Sequence, residues 1–160
     1  MSGRKLAAAL AAIAVLAFVL PPLAANQVHA RRIDRCKQAV ARLAAALEPF
    51  AGQYDRHAYV YFGRGAAPAV TPDLNWPDSA ALPLAGLIQR LGPSGSNAAA
   101  GAGVTMDDEP DPWGNHYLVV ISGSGPKGAV TVLSAGPNGM LETPFGSAST
   151  PRGDDIVAVR

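Results

Sequence analysis

An uncharged apolar run near the start of the chain most constrains the fold. Residues Leu6–Ala25 contain no charged side chain, and about twenty apolar residues in succession are the minimum for a helix that crosses a bilayer core. The same region also fits a cleavable signal peptide, with Arg4 and Lys5 before the apolar stretch and Val28-His29-Ala30 as a small-residue cleavage site. Both interpretations carry the rest of the chain out of the cytoplasm. They differ in whether the segment stays attached.

Directly after this run, apolar residues recur at the spacing of one helical face. Their intervals of 3, 4, 3, 4 and 3 residues predict an amphipathic helix. The members are Ile33, Cys36, Val40, Leu43, Leu47 and Phe50. Pro49 disfavours helical geometry in the residue before it, so we expect the helix to end near Glu48.

The two N-terminal segments are separated by Pro21-Pro22 and the polar Asn26-Gln27. Proline bends a helix without necessarily ending it, so we predict one long, kinked helix. Residues 1–30 are its transmembrane anchor or signal-like segment, and residues 31–52 are its amphipathic stem. The only cysteine, Cys36, lies on the apolar stripe and is expected to be a buried core residue.

Residues 53–160 form the predicted head. Residues 52–111 are expected to be mostly loop, with one short helix over Ala80–Leu91, where leucines recur at helical spacing. Three strand candidates follow, joined at the first connection by the hairpin-like GSGPKG. They are His116–Ser122, Ala129–Ser134 and Asp155–Val159. We therefore predict the α+β class, with a long kinked N-terminal helix packed on a small three-stranded antiparallel sheet.

The charge of the chain is divided between stem and head. Residues 1–52 carry a net charge of +5 and residues 53–160 a net charge of −4. The basic stem suits anionic lipid, whereas an acidic head argues against nucleic-acid binding, which needs clustered cations. A single cysteine excludes an internal disulfide and a multi-cysteine zinc site. The histidines and serines lie in no recognisable nucleophile or metal-ligand motif, so we predict no enzymatic activity.

The segment between the second and third strand candidates is long for a passive connection. Residues 134–155 open with the turn Gly136-Pro137-Asn138-Gly139 and end on Asp154-Asp155. Calcium binds about six to eight oxygens from carboxylates, amides and backbone carbonyls, and such a loop supplies all three. The alternative is an Asx-turn at Asn138 and two solvated aspartates ahead of a strand. The residues leave both interpretations open.

Three blocks, DPWGNHYLVV, VLSAGPNGM and GDDI in that order, resemble the C-terminal half of the major pseudopilin of the type II secretion system. The resemblance covers roughly residues 30–56 and 108–160. It implies a kinked helix half in the membrane, with Pro22 at the usual proline position, and a small antiparallel sheet. It also implies helix-to-helix packing into a short periplasmic pseudopilus and a calcium ion in the C-terminal loop. Carried over by position, the calcium ligands are the carbonyls of Ala135 and Met140, the side chain of Asn138, and the carboxylates of Asp154 and Asp155.

The implied function is that of a structural, non-enzymatic subunit whose partners are other pseudopilin-like subunits and the inner membrane. The implied location is a single pass through that membrane with the C-terminal domain in the periplasm. The family position matching Asn138 is commonly Asp, so calcium is expected to bind weakly. Family members are cleaved after a glycine that precedes Phe or Met and carry a glutamate soon after; here Gly3 precedes Arg4, and Asp34 is the first acidic residue. The alternative function is a secreted or periplasmic binding module released by signal peptidase after Ala30.

Overall fold

The structure is a computed structural model that describes residues 3–53, 58–62, 65–71, 74, 76, 110–122 and 128–160. The chain divides into two compact units, residues 1–34 and residues 35–160. The predicted helix Ala80–Leu91 and the glycine-rich turn at residues 123–127 lie outside the described residues. Those two predictions therefore stay predictions.

One helix, α1, spans Gly3–Leu47 and includes both prolines of the predicted bend. A 3-10 helix over Glu48–Gln53 follows it, so the α-helix ends two residues before Pro49, as predicted. A kink at the prolines stays a prediction. Among the residues that the structure describes, no helix is both long enough and apolar enough to cross a membrane.

The stem part of α1 buries four residues of the predicted apolar stripe, and Ile33 at its start is half-buried. Cys36, Val40, Leu43 and Leu47 are at most 1% exposed, and Ala44 beside them is also buried. Burial raises the pKa of the Cys36 thiol to about 11, despite side-chain hydrogen bonds with Ser134 and Tyr117 that lower it. The thiol is therefore protonated at neutral pH, which fits a core residue rather than a reactive one.

The main sheet is antiparallel and contains the three predicted strands side by side. These are β3 (Tyr117–Ser122), β4 (Ala129–Ser134) and β6 (Ile156–Val159). A further strand, β1 (Ala58–Phe62), adds an edge and makes the order β1-β3-β4-β6. The short strands β2 (Ala69–Val70) and β5 (Met140–Leu141) pair in parallel in a separate two-stranded sheet. The expectation of mostly loop between residues 52 and 111 was therefore wrong at β1 and β2.

The main sheet is covered on both faces. Tyr117 and Ser134 contact Cys36 of α1 and mark the helix-covered face. On the other face, Leu118, Val120 and Leu133 pack in one cluster with Ala135, Leu141 and Ala148 of the C-terminal loop, and Trp76, Phe145 and Val157 lie against it. Strands buried on both faces carry continuous apolar runs, which explains the sequence YLVVI in β3. The loop of residues 134–155 is therefore the second layer of the core.

Candidate cation site in the C-terminal loop

The two ends of this loop lie against each other, directly after β4 and directly before β6. The Asn138 N–H donates to Asp154 Oδ2 over 3.0 Å. Gly136 adopts a φ of 65°, and a Cβ at this position would collide with the Asp154 carbonyl oxygen. Glycine is thus required at residue 136 both by its left-handed backbone and by the close approach of the Asp154 backbone.

Asp155, at the end of the loop, is hydrogen-bonded to the middle of the loop. Its Oδ2 accepts the N–H groups of Glu142 and Thr143 over 2.9 and 2.6 Å, and the residue is 7% exposed. Burial raises the pKa of Asp155, against hydrogen bonds that lower it, and the nearby Glu142 carboxylate raises it further. A buried negative charge in this position favours a bound cation, which would offset both the desolvation and the repulsion.

Two carboxylate oxygens in the loop are buried and lack a hydrogen-bond partner among the described residues. They are Asp154 Oδ1 and Asp155 Oδ1. Buried polar atoms are nearly always hydrogen-bonded, so an orphaned pair needs an explanation such as an ion. These two orphaned oxygens, on consecutive residues, are the strongest observation for a cation at this place.

Asn138 sits at the exposed tip of the turn. Its Oδ1 accepts the Met140 N–H over 2.6 Å, which is an Asx-turn. The Asx-turn of the alternative interpretation is therefore present. Its two solvated aspartates are not, because Asp155 is buried and Asp154 is half-buried.

The remaining predicted ligands contribute backbone carbonyls. Ala135 is buried at the end of β4, and Met140 lies in β5 with a side chain that is 44% exposed. The structure thus brings Asn138 to Asp154 and places Asp155 beside Glu142. The role of all five residues as ligands stays a prediction.

The donor set of the loop is chemically suited to a hard cation. It consists of carboxylate, amide and carbonyl oxygens, the ligand types that calcium prefers. Within the described ranges, no group of three or more His, Cys, Asp or Glu side chains is arranged to hold a metal ion. Asp154 and Asp155 are the side chains that fit calcium here, through their orphaned oxygens, and the remaining ligands would be Asn138 and backbone carbonyls.

A residue that the sequence did not single out, Asp111, organises the entry into β3. Its Oδ1 accepts the N–H groups of Trp113 and Asn115, and its Oδ2 accepts the Ser134 hydroxyl over 2.7 Å. Asp111 is 2% exposed, and Ser134 also accepts the Gly136 N–H. Asp111 therefore ties the DPWGN turn to the end of β4, next to the start of the C-terminal loop. The signal in the sequence was an aspartate ahead of a Pro and Gly-Asn turn, because Asp side chains often cap the backbone of such turns.

Comparisons with protein-family models, with curated proteins and with solved structures find no significant match for this chain. The pseudopilin resemblance therefore depends on the sequence blocks and stays a prediction.

Proposed function

We propose that the chain is a structural, non-enzymatic subunit of a pseudopilin-like assembly, in a type II secretion or related pilus-like system. Its N-terminal helix anchors it in the inner membrane and packs against the helices of other pseudopilin-like subunits. The head lies in the periplasm, and its C-terminal loop is stabilised by a weakly bound calcium ion.

The observation that carries this proposal is where the three resembling blocks fall in the fold. DPWGN forms the turn into β3, and the second block, VLSAGPNGM, runs from the end of β4 to the start of β5. GDDI leads into β6. Each block therefore lies at a junction of the sheet, and the second and third blocks meet in the candidate cation site. Such an arrangement supports a common architecture rather than a chance match of short motifs.

The membrane part of the proposal has a separate basis, the uncharged run Leu6–Ala25 in the sequence. The periplasmic side follows from the resemblance. The alternative is a secreted or periplasmic binding module released by signal peptidase, which the small-residue stretch Val28-His29-Ala30 favours. The two functions predict different mature N-termini.

Photo-cross-linking from the stem tests packing between helices. A benzophenone amino acid replaces Lys37, which is exposed on α1, in the full-length chain expressed in a bacterial envelope. We expect cross-linked multimers of this chain or adducts with other membrane subunits, because the exposed side of the stem faces neighbouring helices. The same label at Met140, exposed in the head, is the control and should give a weaker yield. Monomer alone from the Lys37 label would contradict helix-mediated assembly.

A further inference from the structure

Strand β6 is an edge of the main sheet, and its outer side carries backbone groups that β4 does not use. Val130 and Arg160 exchange two backbone hydrogen bonds, each N–H donating to the other residue's carbonyl, over 2.8 and 2.9 Å. Such pairs recur at every second residue of an antiparallel ladder, so the N–H and C=O groups of Val157 and Val159 face away from β4. Among the described residues, no group bonds to the outward side of these two valines.

The sequence of this edge lacks the features that usually block pairing with another chain. Ile156–Val159 contains neither a proline nor a charged residue, although both are common on exposed edges, where they prevent a further strand from adding. Val159 is also 44% exposed, which places an apolar side chain beside the open backbone groups. The edge is therefore able to accept a further strand.

A groove of about 420 Å³ lies beside this edge, on the face of the main sheet that carries the C-terminal loop. Val120, Thr131 and Val159, on three neighbouring strands, line it together with Phe145 and Ser149 of the loop. Three of these side chains are apolar and two carry a hydroxyl, so the groove suits an aliphatic side chain. Val159 belongs to both the edge and the groove. Because successive side chains of a strand alternate between its faces, every second side chain of a strand added to β6 would lie on the face of the groove.

The exposed charged side chains next to β6 are two arginines. Arg152 precedes the strand and Arg160 follows it, and neither forms an ion pair within the part of the chain that the structure describes. Asp154 and Asp155 lie between them in sequence, but these carboxylates are half-buried and buried and accept N–H groups of the loop. An acidic segment therefore matches the charge of this edge better than a basic one.

We propose that β6 and this groove form a peptide-binding surface, on which an extended acidic segment of another polypeptide adds to the main sheet beside β6. The backbone of the segment pairs with the outward groups of Val157 and Val159. One of its apolar side chains enters the groove, and its acidic residues lie near Arg152 and Arg160. In this mode of recognition the main-chain hydrogen bonds give affinity and the side-chain pocket gives specificity. The surface goes beyond the proposed subunit role and does not depend on the calcium site.

Binding of three fluorescent peptides to the full-length chain in detergent tests this proposal. All three alternate valine and threonine. The first has glutamate at both ends, the second has lysine at both ends, and the third is the glutamate peptide with every backbone amide N-methylated. We expect fluorescence anisotropy to show saturable binding of the glutamate peptide and at least tenfold weaker binding of the lysine peptide. The N-methylated peptide should not bind, because it has no N–H groups to pair with β6.

Val159→Pro tests the surface from the side of the protein. Proline removes the outward N–H of residue 159, which takes no part in pairing with β4, and edge strands tolerate proline at such positions. We expect the Tm to stay close to that of the wild type and the Kd for the glutamate peptide to rise about fivefold, as for the loss of one hydrogen bond. Val159→Thr keeps the N–H and is the matched control, with a Kd close to that of the wild type. Arg152→Glu combined with Arg160→Glu should reverse the preference, toward the lysine peptide.

Four results would overturn the proposal. Equal binding of the glutamate peptide and its N-methylated form would exclude strand addition, whether or not Val159→Pro folds. An unchanged Kd in a folded Val159→Pro variant would place the peptide elsewhere. A wild-type chain that binds none of the three peptides would remove the site altogether. A wild-type dimer that dissociates in Val159→Pro, measured by analytical ultracentrifugation, would assign the edge to a second copy of this chain.

Discussion

Replacing Asp155 with alanine is expected to abolish the thermal stabilisation of the chain by calcium. A ligand that binds only the folded state stabilises it by about 2.7 kcal/mol at 100 times its Kd, and millimolar calcium should raise the Tm of the wild type accordingly. Chelator should reverse the shift. Without Asp155 the site loses a buried carboxylate oxygen that has no hydrogen-bond partner among the described residues, so the Tm of the variant should be the same in calcium and in chelator.

The same variant should also be less stable without calcium. Asp155 Oδ2 accepts two backbone N–H groups, from Glu142 and Thr143, and each buried donor left without an acceptor costs about 1–3 kcal/mol. Asp155→Asn separates the two effects, because it keeps one acceptor oxygen and removes the charge. It should lose the calcium response and retain more of the stability of the cation-free chain. A full calcium response in either variant would place the cation elsewhere.

Replacing Asp111 with alanine is expected to destabilise the fold by about 3 kcal/mol or more, whether or not calcium is present. The change leaves the N–H groups of Trp113 and Asn115 and the Ser134 hydroxyl without their acceptor. Ser134 is fully buried and Asp111 is nearly so, which limits replacement of the lost acceptor by water. Equilibrium unfolding in urea measures the loss as a lower transition midpoint.

Two further variants show whether the loss arises from the proposed hydrogen bonds. Asp111→Asn keeps Oδ1 for the two backbone donors and should cost less than alanine. Ser134→Ala removes the donor to Oδ2, so its effect and that of Asp111→Ala should not add in the double variant, since the two residues share one hydrogen bond. Additive effects, or a wild-type midpoint in Asp111→Ala, would show that the turn does not depend on this carboxylate.

Local patterns in the sequence predicted the elements whose signals are periodic. The apolar stripe of the stem and the three C-terminal strands are present close to their predicted bounds, because burial of one helical face and short apolar runs are local features. Strand β1 was missed because Ala58–Phe62 is short and lies in a segment that was expected to be mostly loop. Its assignment as a strand depends on pairing with β3, which a local pattern does not contain.

The candidate site was predictable only in part, for a related reason. The turn at residues 136–139 and the aspartate pair are visible in the sequence, and the fold brings Asn138 to Asp154. Glu142 has no local signal, because its position between Asn138 and Asp154 exists only after the two ends of the loop meet. The burial of Asp155 likewise depends on the loop forming a core layer over the sheet, and a long, polar segment gives little indication of that.

The mature N-terminus of the full-length chain, produced in a bacterial envelope, tests the proposed function most directly. Intact-mass measurement and N-terminal sequencing are applied to the membrane and soluble fractions. We predict a membrane-bound chain that still contains Leu6–Ala25, because the anchor is the part that a pseudopilin-like subunit packs against its neighbours. A soluble chain that begins at Arg31 would contradict the anchored subunit and favour the released binding module.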